Sequence, residues 1–386
     1  MTEPGNRHAS NLELFLDLVF VFSVTQVTGF IAADLSVGGV GRGALLGFLV
    51  WWQWTAFTWA GTAIDLQSHA RERVIVLCMV PAMLVMAVSV PEALNDQGMW
   101  FAVSYLVVQL LVLMLQGVEA WGLPHTRTSF LRYAPLAAIA PTLLLIGAFF
   151  NGDTRVWVWI TVAVGMIGSA LLATDARGGE WVIDPTHFAE RHALFMIITL
   201  GEVLVAIGAT SAAVSSERGL DAATLGAIVS ASAVACVLWW AYFGFIPAVI
   251  EMKLDTTPSA ERGVVARDVG SFGHFPLVFG LILYAVLAKH LIKHPEGHLT
   301  VPDRWLMVGA MVAFIGGQLA IQFRLVRALA PERLIVLVTV GALAVGASVM
   351  PGTLVVGLLA VVLGFMSVIS ARRFRSSELA QSIHHS

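Results

Sequence analysis

Residues 11–27 read NLELFLDLVFVFSVTQV, an apolar run that nevertheless carries two carboxylates, Glu13 and Asp17, one helical turn apart. A second run, FAERHALFMIITLGEVLVAIGAT over 188–210, opens with Glu190, Arg191 and His192 and holds Glu202 three turns further in. Carboxylates set in apolar sequence pair with a cation, relay a proton or line an ion path. An imidazole beside them adds a group whose charge changes near neutral pH. At 100° per residue, Glu13, Asp17, Val24 and Thr28 fall within about 60° of one another, and Ser10 joins them if the helix begins early. The first helix therefore has a single polar stripe that should face inward. Arg191 and Glu202 lie nearly on one face of their own helix.

Two readings of these residues stand side by side. In one, Asp17, Glu202 and Glu13 form an ion or proton pathway. In the other, Asp17 makes a structural pair with an arginine such as Arg71, Arg73 or Arg191, and Glu202 bonds to neighbouring backbone. Glu190, Arg191 and His192 form a charged cluster at the cytoplasmic edge in either case. His274, just ahead of Pro276, is a candidate proton-responsive group. His187 and Glu190 supply only two ligands on one helix face, and the HExxH spacing of a zinc site is missing, so no metal is expected. No cofactor is expected either. The chain has no glycine-rich phosphate loop and no nucleophile–base signature, and the reading is that it is not an enzyme.

The elements that hold these groups follow from composition. Hydrophobic residues make up 58% of the 386-residue chain and charged residues 12%, against about 25% charged in a soluble domain. Mean hydropathy is +0.83. So few charges cannot cover a water-soluble globule, and 12 Trp, 21 Phe and 35 Gly suit membrane helices. The expected fold is all-α, a polytopic membrane protein. A net charge of −3 gives no footprint for nucleic acid. Cys78 and Cys236 sit in apolar runs and are expected as core thiols. No removable signal peptide is read, so the first helix is taken as an uncleaved span.

Runs of roughly 20 apolar residues fall at about 12–33, 44–64, 73–94, 100–119, 131–150, 155–174, 188–210, 222–250, 272–291, 304–324, 333–350 and 353–371. That is about twelve spans. The longest connections, 174–187 and 251–271, read as cytoplasmic loops. With the N-terminus inside, 16 of the 22 Lys and Arg fall in inside loops and 6 outside, the bias of a bacterial cytoplasmic (inner) membrane protein with both termini cytoplasmic. Arg7 and Arg177 belong to the inside set. The two halves share features in order: Glu13 with Glu190, WWQWTAFTW (51–59) with WWAYFGF (239–245), ARE (70–72) with ARD (266–268), and Met99-Trp100 with Arg304-Trp305. This suggests two parallel six-helix repeats, 1–175 and 176–371, followed by a short cytoplasmic tail, 372–386. Any polar path must run among the less apolar spans, where Gln53, Gln109, Gln116, Gln318 and Gln322 could line it.

The stretches ELFLDLVFVF (13–22), AERHALFMIITLGE (189–202) and GHFPLVFGLIL (273–283) resemble the bacterial low-temperature-requirement A (LtrA) family. Leu16 replaces an aromatic of that family's first motif, and Ala193 stands where Gly is usual in its ERH motif. The resemblance implies a multi-spanning inner-membrane protein associated with growth in the cold, and no defined biochemical activity. The first helix is also similar to the first-helix signature of a family of endolysosomal and bacterial potassium channels, through Glu13, Phe15, Asp17, Val19, Phe20 and Thr25. Leu16 departs from the Ser of that signature. The function expected is movement of an ion or small solute; the alternative is a non-transporting membrane-adaptation or sensing protein whose buried charges are structural. The expected partners are the lipid bilayer and monovalent cations or a small solute, with a homo-oligomer left open.

Overall fold

A computed structural model describes residues 8–63, 70–121, 124–173 and 183–375. The described residues fold into helices: α1 (Asn11–Ala33), α2 (Val37–Ala63), α3 (Ala70–Ser89), α4 (Gly98–Ala120), α5 (Pro124–Gly147), α6 (Gly152–Ala173), α7 (Pro185–Arg218), α8 (Ala222–Phe243), α9 (Ile246–Thr256), α10 (Ser259–Ala266), α11 (His274–Lys293), α12 (Val301–Val326), α13 (Pro331–Gly346) and α14 (Gly352–Arg375). A wide π-turn, Arg267–Phe272, joins α10 to α11. Nine helical segments among the described residues are long and apolar enough to cross a membrane. The protein is thus a multi-pass membrane protein.

The remaining three expected spans are helical but fall short for separate reasons. In α2, Arg42, Gln53 and four tryptophans lower the hydropathy of a 27-residue helix. In α5 the apolar part is Tyr133–Gly147. In α13 the helix has 16 residues, about 24 Å at 1.5 Å per residue against a hydrocarbon core of about 30 Å. Residues 251–271 depart from the expected loop: they continue α9, form α10 and end in the π-turn. Pro258 is the one strong breaker there, and the following Ser-Ala-Glu-Arg start suits a new helix. Of the tail, α14 extends to Arg375, and residues 376–386, like Arg7 and Arg177, lie outside the described residues.

Local sequence explains the helix starts. Ser10 caps α1 and Thr300 caps α12, each in a reciprocal box with an acid three residues on, Glu13 and Asp303. Asp221 caps α8 through Thr224 N at 2.7 Å. The inward stripe of α1 is Glu13, Leu16, Asp17, Phe20, Val24, Val27, Thr28 and Ile31, while Phe15, Leu18 and Phe22 are exposed. Both cysteines are exposed rather than in the core. In a bilayer an apolar residue is as well placed against lipid as against protein, so hydropathy alone does not separate the two faces.

The chain divides into two compact units, Met1–Leu194 with Lys253–Phe272, and Phe195–Met252 with Gly273–Ser386. In the first, α1 packs on α2 and α3, α3 on α4, α4 on α5 and α5 on α6, while α2 packs on α4 and α6. In the second, α11 packs on α12, α12 on α13, α13 on α14, α14 on α8 and α8 on α11. Helix α7 gives its first turns to the first unit and the rest to the second.

Candidate functional site

The first unit gathers the acids of α1 against the opening turns of α7. Asp17 and Arg191 are both fully buried, and the guanidinium grips the carboxylate with two bonds, Nη1 to Oδ2 at 2.6 Å and Nη2 to Oδ1 at 2.8 Å. The Trp54 indole N–H of α2 donates to Asp17 Oδ1 at 2.8 Å. One turn earlier on α1, Glu13 Oε1 lies 3.0 Å from His187 Nε2 and 3.7 Å from Arg191 Nε. Its other oxygen accepts from the Ser10 amide and hydroxyl, both at 2.8 Å. The Arg191 guanidinium lies over the rings of Trp54 and Phe57, 5.8 and 5.7 Å from their centroids. Gly61 completes the fit, since a Cβ there would stand 2.7 Å from Glu13 Oε1. Two carboxylates thus meet one permanent cation. The group is electrically balanced when one further proton resides between Glu13 and His187, and an unbalanced buried charge costs several kcal/mol.

Helix spacing explains the meeting. Glu13 and Asp17 share one face of α1, His187 and Arg191 share one face of α7, and both pairs are four residues apart. The neighbours on α7 turn elsewhere. Glu190 is half-buried and accepts from the Ala9 amide at 2.8 Å, with His8 Nδ1 at 3.2 Å. His192 is buried, its Nδ1 2.9 Å from the Phe188 carbonyl, and its ring meets Trp54 edge-on. The charged group at this helix start is therefore split: Arg191 joins the acids of α1, Glu190 ties down the preceding segment and His192 packs among aromatics. His187 and Trp54 are the members that the sequence reading missed. The i,i+4 spacing of His187 and Arg191 opposite that of Glu13 and Asp17 was the available signal.

Helix α2 presents a second face to a cavity. Trp54, Phe57 and Gly61 point to the charged group, whereas Trp52, Thr55, Ala56 and Trp59 line a cavity of about 70 Å³ bounded also by α4, α5, α6 and the π-turn. Its polar groups include Gln109, Gln116, Tyr133, Tyr105 and Arg267, whose guanidinium donates to Asp268 beside it in the π-turn, and no Asp or Glu lines it. Gln53 Nε2 donates to Gln109 Oε1 at 3.1 Å. Among the described residues, the buried Tyr105 hydroxyl has no hydrogen-bond partner. The π-turn is fastened to α2 by Trp51 Nε1 to the Ser271 carbonyl at 2.8 Å and Trp59 Nε1 to the Ser271 hydroxyl at 3.0 Å. Such turns recur at functional sites because they spoil the regular helical ladder.

The second unit holds the other candidates. Glu202 is buried at 6% exposure and lies close enough to Lys289 of α11 for the two charges to attract. His274 is buried, with Nε2 2.8 Å from the Tyr242 hydroxyl of α8. Gln318 and Gln322 line a separate cavity in this unit.

An uncharacterized protein of Rhizobium meliloti (strain 1021) is 28% identical over 323 residues, covering 80% of this chain and 76% of that protein. No solved structure matches the chain. Residues 8–368, which include both α1 and the whole of α7, match the bacterial low temperature requirement A protein (LtrA) family, and the chain belongs to that family.

Proposed function

We propose that this LtrA protein is a carrier of the bacterial cytoplasmic membrane that moves a small polar solute, with the Glu13–His187 pair as its proton-binding element. One observation carries this reading: α2 walls the solute-sized cavity with one face and donates to the buried charged group with the other. Adding or removing the proton changes the charge balance of Glu13, Asp17, Arg191 and His187 by one. In an apolar surround that is worth several kcal/mol, enough to shift a two-state equilibrium by two orders of magnitude or more. Helix α2 transmits the shift to the cavity. The lining favours a solute over a bare cation, because amides, phenols, indoles and the Arg267 guanidinium line it without a carboxylate. Asp17 is the structural anchor of Arg191, and Glu202 with Lys289 is an oppositely charged pair of the second unit.

The positive-inside bias supports cytoplasmic termini. The order of packing supports a duplicated six-helix unit: α3-α4-α5-α6 returning to α2 parallels α11-α12-α13-α14 returning to α8. Association with growth in the cold follows from family membership. A non-transporting role has its own support, since Asp17 and Glu13 are both fully engaged.

Proteoliposomes decide between the two. Flux of small polar solutes would be followed by light scattering, and proton, potassium and sodium flux by dyes. The carrier reading expects solute flux that acidifies or alkalinises the lumen, lost in His187→Gln and Glu13→Gln and reduced in Tyr105→Phe, with all variants folded. Absence of flux under every gradient would overturn it in favour of the structural role. Potassium flux indifferent to His187 would overturn it in favour of simple conduction.

A further inference from the structure

The second unit contains a cavity of about 370 Å³ between the ends of α12 and α14 and the starts of α13 and α9. Its chemistry differs from that of the first cavity. Three charged side chains line it: Glu332, Arg333 and Arg373. Glu332 is already engaged, with Arg373 Nη1 at 2.6 Å from Oε2 and the Ser370 hydroxyl at 3.0 Å from Oε1. Arg333 is 1% exposed; its Nη1 donates to Gln322 Oε1 at 2.8 Å, and its guanidinium lies 5.2 Å from the Phe245 ring centroid. Gln322 is a neutral acceptor, so the cavity carries one cation in excess of its carboxylate. Among the described residues, Arg333 Nε and both amide atoms of Gln318 have no hydrogen-bond partner, and Gln318 is 0% exposed. A buried carboxamide missing both its bonds is costly, and so is a buried guanidinium whose neighbouring carboxylate, Glu332, is already bonded to Arg373 and Ser370. The rest of the wall is apolar: Ile246, Val249, Ile321, Leu325 and Phe374, with Leu329 at the rim, 51% exposed. Arg324, Arg327 and Arg372 stand on the same helix ends.

We propose that this cavity binds an anionic phospholipid of the surrounding leaflet, its phosphodiester beside Arg333 and a hydroxylated headgroup against the Gln318 amide, with the acyl chains leaving past Leu329. A phosphodiester carries one negative charge, which matches the excess of one cation. Its oxygens accept what Arg333 and the Gln318 NH₂ have to donate, and a headgroup hydroxyl donates to the Gln318 carbonyl. Basic pockets between membrane helices recognise anionic headgroups by this combination. A free phosphate offers the same oxygens but leaves the apolar walls without a partner.

The test uses the full-length protein in detergent, titrated with phosphatidylglycerol, phosphatidylcholine or inorganic phosphate and read by native mass spectrometry and thermal shift. Phosphatidylglycerol should be retained selectively over phosphatidylcholine, and inorganic phosphate should not displace it. Arg333→Met should weaken its retention about tenfold or more, the effect of losing one charge-assisted bond. Because Arg333 is buried and its loss could disturb folding, Gln318→Leu gives an independent check. It removes an unsatisfied amide at similar volume, so the lipid-free protein should be as stable as before while lipid retention falls several-fold. Leu329→Trp, at the exposed rim, should obstruct the chains with the same result. Equal retention of both lipids, or retention untouched in folded Gln318→Leu and Leu329→Trp, would overturn the proposal. Displacement by millimolar inorganic phosphate would overturn the lipid assignment and leave a free-anion site.

Discussion

Replacing Arg191 by Gln is the sharpest probe of the charged group, because it removes the cation and leaves two carboxylates facing each other through apolar surroundings. The two guanidinium–carboxylate bonds to Asp17 are 2.6 and 2.8 Å long, with both residues 0% exposed. Charges about 4 Å apart at an effective dielectric constant near 20 attract by about 4 kcal/mol. Breaking a buried pair from one side costs about 3–5 kcal/mol by experience, so the two routes agree. For a cooperative unit of about 200 residues, where each kcal/mol shifts the midpoint by about 2–4 °C, Arg191→Gln should lower Tm by about 6–20 °C in detergent. Asp17→Asn should cost less, because Arg191 keeps Glu13 at 3.7 Å and the cluster is then balanced without a further proton. The double variant Asp17→Asn/Arg191→Gln should regain at least half of the single loss, since no unmatched charge remains. The cycle is read as four Tm values on purified protein. A Tm drop under about 2 °C in Arg191→Gln, or a double variant no better than the worse single one, would refute the claim that charge pairing holds α1 to α7.

Three further outcomes follow from particular contacts. Trp54→Phe keeps the ring under Arg191 but removes the indole donor to Asp17, and thermal unfolding should register about 1.5–3 kcal/mol, the worth of a bond to a charged group. Gly61→Ala places a methyl 2.7 Å from Glu13 Oε1 and should cost about 1–3 kcal/mol, whereas Ala at Gly208, with nothing within 4 Å, should be neutral or stabilising in the same measurement. Gly280→Ala meets the Ala310 carbonyl at 2.7 Å and the Phe314 amide at 2.8 Å; because backbone cannot swing aside, α11 and α12 should separate, and the variant should fail to yield monodisperse protein on size exclusion.

The fold was largely legible because a bilayer sets a coarse requirement, about 20 apolar residues per crossing. Helix α13, with only 16 residues, and the tryptophan-rich α2 were found as apolar stretches even though neither meets a strict length-and-hydropathy standard. The 251–271 segment was misread as a loop because α10 is short and mixed in polarity, and hydropathy says little about a helix of 8 residues. The cysteines were misplaced for the same physical reason: apolar flanks mark the membrane, not the core. In the site, the stripe Glu13–Asp17 was visible from α1 alone by its 100° period. That Arg191 rather than Arg71 or Arg73 would close it was not, since all three are basic residues near helix starts on the same expected side. His187 was weighed only as a metal ligand, and its bond to Glu13 depends on the packing of α7 against α1, which spacing within one helix cannot fix. Trp54 was read only as part of the 51–59 stretch shared by the two halves, and its indole donor is buried against a carboxylate.

The likeness of the first helix to a channel signature loses force on this geometry. A carboxylate that lines a conduction path must exchange ligands with water and ions, whereas Asp17 is 0% exposed and holds two guanidinium bonds and an indole bond. Under the proposed function the movable charge is instead a proton passed between Glu13 and His187, since crossing their 3.0 Å contact requires no heavy atom to leave its place. The two cavities then divide the chemistry between the two units. One is walled by α2, α4, α5, α6 and the π-turn with amides, phenols and an Arg267 that is paired with Asp268, the other by α12, α13 and α14 with an arginine in excess of its carboxylate. A chamber whose one cation is already paired releases a neutral solute without breaking an ion pair, while a chamber with an unmatched cation holds an anion. On the proposed readings turnover falls to the first unit and anchorage to the second, so Tyr105→Phe should alter flux without altering lipid retention, while Gln318→Leu should do the reverse.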